Sequence, residues 1–189
     1  MAAWCDRESV VISTVLAWVR AWGFSWQGWL DNRRGEWWLL AQLLLIALDL
    51  LLPRWPQTWR WPLAVAGWLP LLGGLVLLGG LLLALVAVLH LGESLTPLPQ
   101  PMAQAPLQQQ GLYRLCRHPL YLAVLVCSLG MALLRGGWLH PLLLVALAVL
   151  LVGKARREER ALLQQYPEYA SYRQHTPALV PGLPGLDWR

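Results

Sequence analysis

Twenty-nine consecutive residues, Leu63–Leu91, carry no formal charge. Helices of water-soluble domains set charge opposite their apolar stripe, whereas an apolar run of this length is long enough to span a bilayer. As one straight helix it would measure about 43 Å against a hydrocarbon core of about 30 Å. Tilt, a kink near Pro70 or an extension past the bilayer must absorb the excess. Gly73-Gly74 and Gly79-Gly80 leave thin places where another helix can pack closely.

Three more apolar stretches accompany this run: Trp37–Leu52, Pro119–Leu134 and Trp138–Gly153. Asp49 is the one charged side chain in all four, and it is expected near the headgroups at the end of its span. The last two stretches join through Arg135-Gly136-Gly137 as an antiparallel hairpin. Each is about 24 Å long, so polar flanks must sit near the headgroups or the helices must continue beyond the apolar run. His90 and His140 read as interfacial or packed residues. With 57% apolar and 13% charged residues, the chain is neither disordered nor an ordinary soluble domain. Cys5, Cys116 and Cys127 have no disulfide or metal-knuckle spacing.

The expected architecture is all-α: a polytopic membrane bundle of four or five transmembrane helices with a cytosolic C-terminal helix. Residues 1–36 form an interfacial amphipathic helix or a first span, with no cleavable signal peptide. Residues 37–91 supply two membrane helices, and 92–189 a functional half. With four spans, twelve of the fifteen Lys and Arg residues fall on the side of the 92–118 loop and the C-terminal tail. The positive-inside rule puts that side in the cytoplasm.

Two polar segments meet at this face. In Gln108–Tyr121, QQQGLYRLCRHPLY, Pro119 suits the first helical position. Arg117 and His118 then sit at a helix N-terminus whose free N–H groups favour an anion, with Tyr121 in the first turn. In the second segment, KARREER from Lys154, Glu159 shares a helical stripe with Ala155, Leu162 and Tyr166, and Arg156 and Arg160 lie on another face. A carboxylate on a packed face needs a cation, which is either Arg117 or the ammonium of a ligand. A zwitterionic amino-acid head would satisfy both the anion and the cation site.

SLTPLPQP at 94–101, QGLYRLCRHPLYLA at 110–123 and EERALLQQYPEYASYRQHTPALVPG at 158–182 together resemble the isoprenylcysteine carboxyl methyltransferase-like and phospholipid methyltransferase superfamily. The elements stand in the family's order over about the C-terminal half of the chain. The resemblance implies a membrane enzyme that binds S-adenosyl-L-methionine in a cytosol-facing pocket closed by the C-terminal helix. It implies cofactor contacts from Gly111, Tyr113, Arg117, His118, Pro119, Tyr121 and Glu159, and catalytic positions at Lys154 and Glu158. Gly111-Leu112-Tyr113 replaces the family's frequent Gly-Pro-Tyr, Tyr166-Pro167 its Phe-Gly, and Lys154 an arginine of the isoprenylcysteine enzymes.

The expected activity is methyl transfer to a lipidic or small amphipathic acceptor from within the bilayer. No nucleic-acid partner and no metal are expected, and the low lysine and high leucine content suit a bacterial inner-membrane protein. Two alternatives stand beside it. One is a sterol-type membrane reductase holding a nicotinamide cofactor. The other is a non-catalytic membrane protein in which Glu159 pairs with Arg117.

Overall fold

The computed structural model describes residues 30–100 and 105–189, and these form helices and connecting loops without strands. The expected interfacial helix or first span of the N-terminal segment lies, up to residue 29, outside the described residues. Helix α1 is Glu36–Leu51, α2 Trp68–Leu91, α3 Pro119–Arg135, α4 Leu139–Gln165 and α5 Tyr169–His175. One helical turn, Leu63–Ala66, precedes α2. The long apolar run is therefore interrupted at Gly67, three residues before Pro70. Proline has no N–H to offer the Ala66 carbonyl one turn earlier, and its ring crowds that carbonyl.

α2 packs along α3 more extensively than any other two elements meet. Its buried residues are Gly73, Gly80 and Ala87, small side chains every seven positions that let two backbones approach. A Cβ on Gly73 would lie 2.7 Å from the Leu134 nitrogen, and one on Gly130 of α3 2.6 Å from the Leu77 nitrogen. Leu71, Leu75, Leu78, Leu82, Leu85 and Leu89 occupy the outer face of α2, each more than half exposed. Their alternating three- and four-residue spacing makes a continuous apolar stripe, suited to lipid and costly in water.

Two helices are long and apolar enough to cross a membrane, Leu63–Leu91 and Leu139–Gln165, while Pro119–Arg135 is a shorter apolar helix. α4 does not stop at Gly153, where its apolar run ends, but carries the charged KARREER segment within the same 27-residue helix. Nothing there breaks it, because Lys, Arg, Glu and Ala are all good helix formers.

At the α3–α4 turn, Gly136 and Gly137 both take positive φ. A Cβ on Gly136 would meet the Trp59 ring at 2.9 Å, so the Trp-rich 53–62 connection rests directly on the turn. Arg135 donates to the Leu50 and Leu52 carbonyls, each at 2.9 Å, and so caps the end of α1. Asp49, two residues from the end of α1, is 5% exposed and accepts from His140 Nδ1 at 2.9 Å. Two helices that cross close together bury both groups, and each becomes the other's partner.

Candidate functional site

At the opposite end of the bundle, the start of α3, the late part of α4, α5 and the C-terminal tail converge. Pro119 occupies the first position of α3, where its missing N–H costs nothing. The backbone N–H groups of Arg117 and His118 donate to the Pro177 and Ala178 carbonyls at 2.9 and 3.0 Å. The tail thus takes up the two N–H groups that directly precede α3.

Arg117, 4% exposed, is saturated. Its Nε donates to Glu159 Oε1 at 2.8 Å, Nη1 to the Arg173 carbonyl at 3.0 Å and to that of Thr176, and Nη2 to the Trp188 carbonyl at 2.7 Å. Glu159 also contacts His118 Nε2 at 3.0 Å and accepts from Trp188 Nε1 at 2.8 Å. Of the two partners open to Glu159 in the sequence, Arg117 is the one it meets in this structure. Three elements distant in sequence are clamped by one buried ion pair with its remaining valences filled, the condition under which such a pair is tolerated.

Glu158, one residue earlier, faces elsewhere. It accepts the Tyr121 hydroxyl at 2.7 Å and lies 3.9 Å from His118 Nδ1. His118 and Tyr121 stack with centroids 5.3 Å apart and planes 3° from parallel. Glu158 and His118 line a partly open cavity, together with Tyr113, Tyr166, Tyr169 and Tyr172. Tyr172 donates to the Tyr113 carbonyl and Tyr166 to that of Ala105. Tyr169 is 1% exposed, and its hydroxyl has no hydrogen-bond partner. Burial pushes the Tyr113, Tyr169 and Tyr172 hydroxyls well above the ordinary tyrosine range, so at neutral pH they are donors and not bases.

The other site candidates stand around this cavity. Gly111 (φ +59°) opens the turn before α3, and a Cβ there would strike the His90 ring at 2.3 Å. Lys154, 2% exposed, lies outside the cavity lining: its Nζ donates to Gln42 Oε1 at 2.6 Å and the Pro97 carbonyl at 2.9 Å, and sits 5.2 Å from the Tyr121 ring centroid. It ties α1 and the 95–100 loop to α4. Trp188 is the clamp residue that sequence reasoning missed. It is one of thirteen tryptophans, and nothing in the local pattern marks it. Among the described residues, no group of three or more His, Cys, Asp or Glu side chains could hold a metal ion.

A helical membrane bundle whose polar end carries an acid- and tyrosine-lined cavity is the class that this fold and site define. The model of the phospholipid methyltransferase family matches residues 68–169. The chain belongs to this family, within the isoprenylcysteine carboxyl methyltransferase-like superfamily that its motifs resemble. It is 39% identical over 74 residues to the cobalt-zinc-cadmium resistance protein CzcN of Cupriavidus metallidurans, a match covering 39% of this chain and 34% of that protein. It is 28% identical over 161 residues to the nickel-cobalt-cadmium resistance protein NccN of Alcaligenes xylosoxydans xylosoxydans, covering 80% of this chain and 66% of that protein. The chain therefore spans about a third and just under two thirds of these curated relatives. No solved structure matches it.

Proposed function

We propose that this chain is a multi-pass integral membrane methyltransferase that takes S-adenosylmethionine into the tyrosine-lined cavity and methylates a lipidic or small amphipathic acceptor. Four or five spans, with the cavity facing the cytoplasm of a bacterial inner membrane, fit the basic excess on that side of the chain. The observation that carries the reading is the Tyr169 hydroxyl, buried in the cavity wall without a partner, in the same cavity as Glu158. A ligand offering both an acceptor atom and a cation satisfies the two together, and an amino-acid head does so.

In this reading Glu158 takes the ammonium and Tyr169 donates to an acceptor atom of the ligand. The Tyr113 and Tyr172 rings offer faces to a flat base or a cationic sulfur. Arg117, His118 and Glu159 hold the wall, Gly111 and Pro119 set its backbone, Tyr121 fixes Glu158 from behind, and Lys154 stands against the Tyr121 ring. When bound, S-adenosylmethionine would supply a methyl group on a cationic sulfur. A carboxylate acceptor attacks without losing a proton, whereas an amine or hydroxyl must lose one. We assign that proton to His118, since Glu158 holds the ammonium and the tyrosines stay protonated. Alignment in a fixed cavity would provide much of the rate.

The test is calorimetric titration of the purified protein with S-adenosylmethionine, with NADPH in a parallel cell. Saturable binding of the former alone is expected, and binding of NADPH alone would favour the sterol-type reductase. Mass spectrometry of lipid and small-molecule extracts, with and without the active protein, then seeks an acceptor heavier by one methylene. The relatives' names suggest resistance to divalent transition metals as a setting, which growth of a deletion strain on cobalt, zinc and cadmium tests.

A further inference from the structure

We propose that an arginine-lined groove on the far side of the clamp binds a phosphate monoester, carried by an anionic lipid or by its soluble counterpart. The groove is lined by Arg156, Glu159, Arg160 and Leu163 of α4, Arg173 of α5 and Trp188 of the tail. It shares no lining residue with the tyrosine-lined cavity. Arg117 belongs to the cavity lining and Glu159 to the groove lining, so their buried pair stands between the two. The site is therefore independent of the methyl-donor reading, and only its depth in the bilayer rests on the spans proposed above.

The charge of the groove is one-sided. Glu159 is 3% exposed and is already met by Arg117, His118 and Trp188. Arg156 and Arg160 are exposed, and the Arg173 side chain is 34% exposed. Among the described residues, Arg156 and Arg160 have no ion-pair partner, and Arg173 Nε stays 3.9 Å from Glu159. All three side chains are nonetheless held. Arg156 lies over the Trp188 ring, 5.2 Å from its centroid. Arg160 Nε donates to the Arg156 carbonyl at 3.3 Å, and Arg173 Nη2 to the Arg189 carbonyl at 3.4 Å. Like charges held around one groove repel each other, and a shared anion relieves that repulsion at little cost in side-chain freedom.

An anion that bridges guanidinium groups from two helices needs several oxygens. A phosphate monoester offers three and a charge of about −1.5 to −2, whereas a phosphodiester or a carboxylate offers two oxygens and a single charge. The planar arginine fork matches such oxygens in pairs. Leu163 and the Trp188 ring give the groove an apolar edge for the rest of an amphiphile. The apolar run of α4 ends at Gly153, so Arg156 lies about 4.5 Å and Arg160 about 10.5 Å beyond it at the helical rise. A headgroup layer is about 5–8 Å deep, and basic pockets at this level on the cytoplasmic side suit anionic headgroups.

The full chain in neutral detergent is titrated calorimetrically with dioctanoyl phosphatidic acid, dioctanoyl phosphatidylglycerol and glycerol 3-phosphate. Phosphatidic acid is expected to bind saturably, one per chain, and about tenfold more tightly than phosphatidylglycerol, the factor of one extra charge-assisted contact. Glycerol 3-phosphate binding as tightly as phosphatidic acid would support a soluble phosphate as the source, and weaker binding would support the lipid. Arg156→Gln and Arg160→Gln, both at exposed positions, should each weaken phosphatidic acid about tenfold. Arg114→Gln, exposed at the same end of the bundle but outside the groove, should change it less than about twofold. Equal affinity for the two lipids, or equal losses in all three variants, would reduce the groove to non-specific attraction and overturn the proposal. No binding to the unmodified protein, or undiminished binding in both groove variants, would overturn it as well.

Discussion

Glu158 and Glu159 are adjacent on α4 and serve opposite faces of one structure. Glu158 lines the cavity and accepts the Tyr121 hydroxyl at 2.7 Å, whereas Glu159 is buried against Arg117 at 2.8 Å. Successive residues of a helix point about 100° apart, so the tandem acids flank the His118 ring, Glu159 at 3.0 Å from Nε2 and Glu158 at 3.9 Å from Nδ1. The clamp uses one and leaves the other to the cavity.

The two acids should therefore separate stability from binding. Glu159→Gln is expected to destabilise the protein by on the order of 3 kcal/mol, because the buried Arg117 loses its counter-charge. Glu158→Gln should leave stability within about 1 kcal/mol and weaken S-adenosylmethionine about tenfold, as for one charge-assisted hydrogen bond. Thermal unfolding in detergent and calorimetric titration check the pair. A Glu159→Gln protein that keeps its unfolding midpoint but loses binding would reverse the assignment.

Cys116 should be slow to alkylate. It is 5% exposed, and burial pushes its thiol up to about 11. The thiolate is the reactive form, so a raised value lowers reactivity at every pH below it. At pH 8 the thiolate fraction is about a hundredfold below that of a thiol titrating near 9. Maleimide labelling followed at single-site resolution from pH 7 to 10 should show a rate still rising at the upper end. A plateau below pH 9 would contradict the burial.

The α2–α3 contact tolerates bulk on one face of α2 only. Gly79 faces open space, whereas a Cβ on Gly80 would lie 2.7 Å from Cys127 Sγ and one on Gly130 2.6 Å from the Leu77 nitrogen. Gly130→Ala and Gly80→Ala should each lower stability by about 1–3 kcal/mol through overpacking. Gly79→Ala should be neutral or slightly stabilising, since alanine is the better helix former. Unfolding midpoints of the three variants decide the matter.

Asp49 and His140 should behave as a unit. Asp49→Leu alone leaves His140 Nδ1, fully buried, without its hydrogen-bond partner, at a cost of about 1–3 kcal/mol. Asp49→Leu with His140→Leu should recover most of that loss, because replacing both partners of a buried hydrogen bond by apolar groups of similar shape can be nearly neutral. A double-mutant cycle with additive effects would mean that the 2.9 Å contact carries no coupling.

Much of this molecule was legible in one dimension because a bilayer is a simple solvent. Charge cannot be spread along a helix surrounded by hydrocarbon, so its absence over Leu63–Leu91 marked a span before any fold was known. The motif order around Arg117-His118-Pro119 and Glu158-Glu159 likewise pointed to the family and to one end of the bundle. The clamp was not legible: the Arg117 guanidinium is met by carbonyls of Arg173, Thr176 and Trp188, and backbone carbonyls look alike in every sequence. Nor did the spacing of Asp49 and His140, 91 positions apart, announce that they touch. The sequence by itself determined the membrane, the helices and the set of polar residues, because hydrophobicity and helical period are local properties. Only the tertiary structure decided which acid faces the cavity, which is locked to Arg117 and which meets His140, because partner choice between buried polar groups depends on helix crossings that no local pattern encodes.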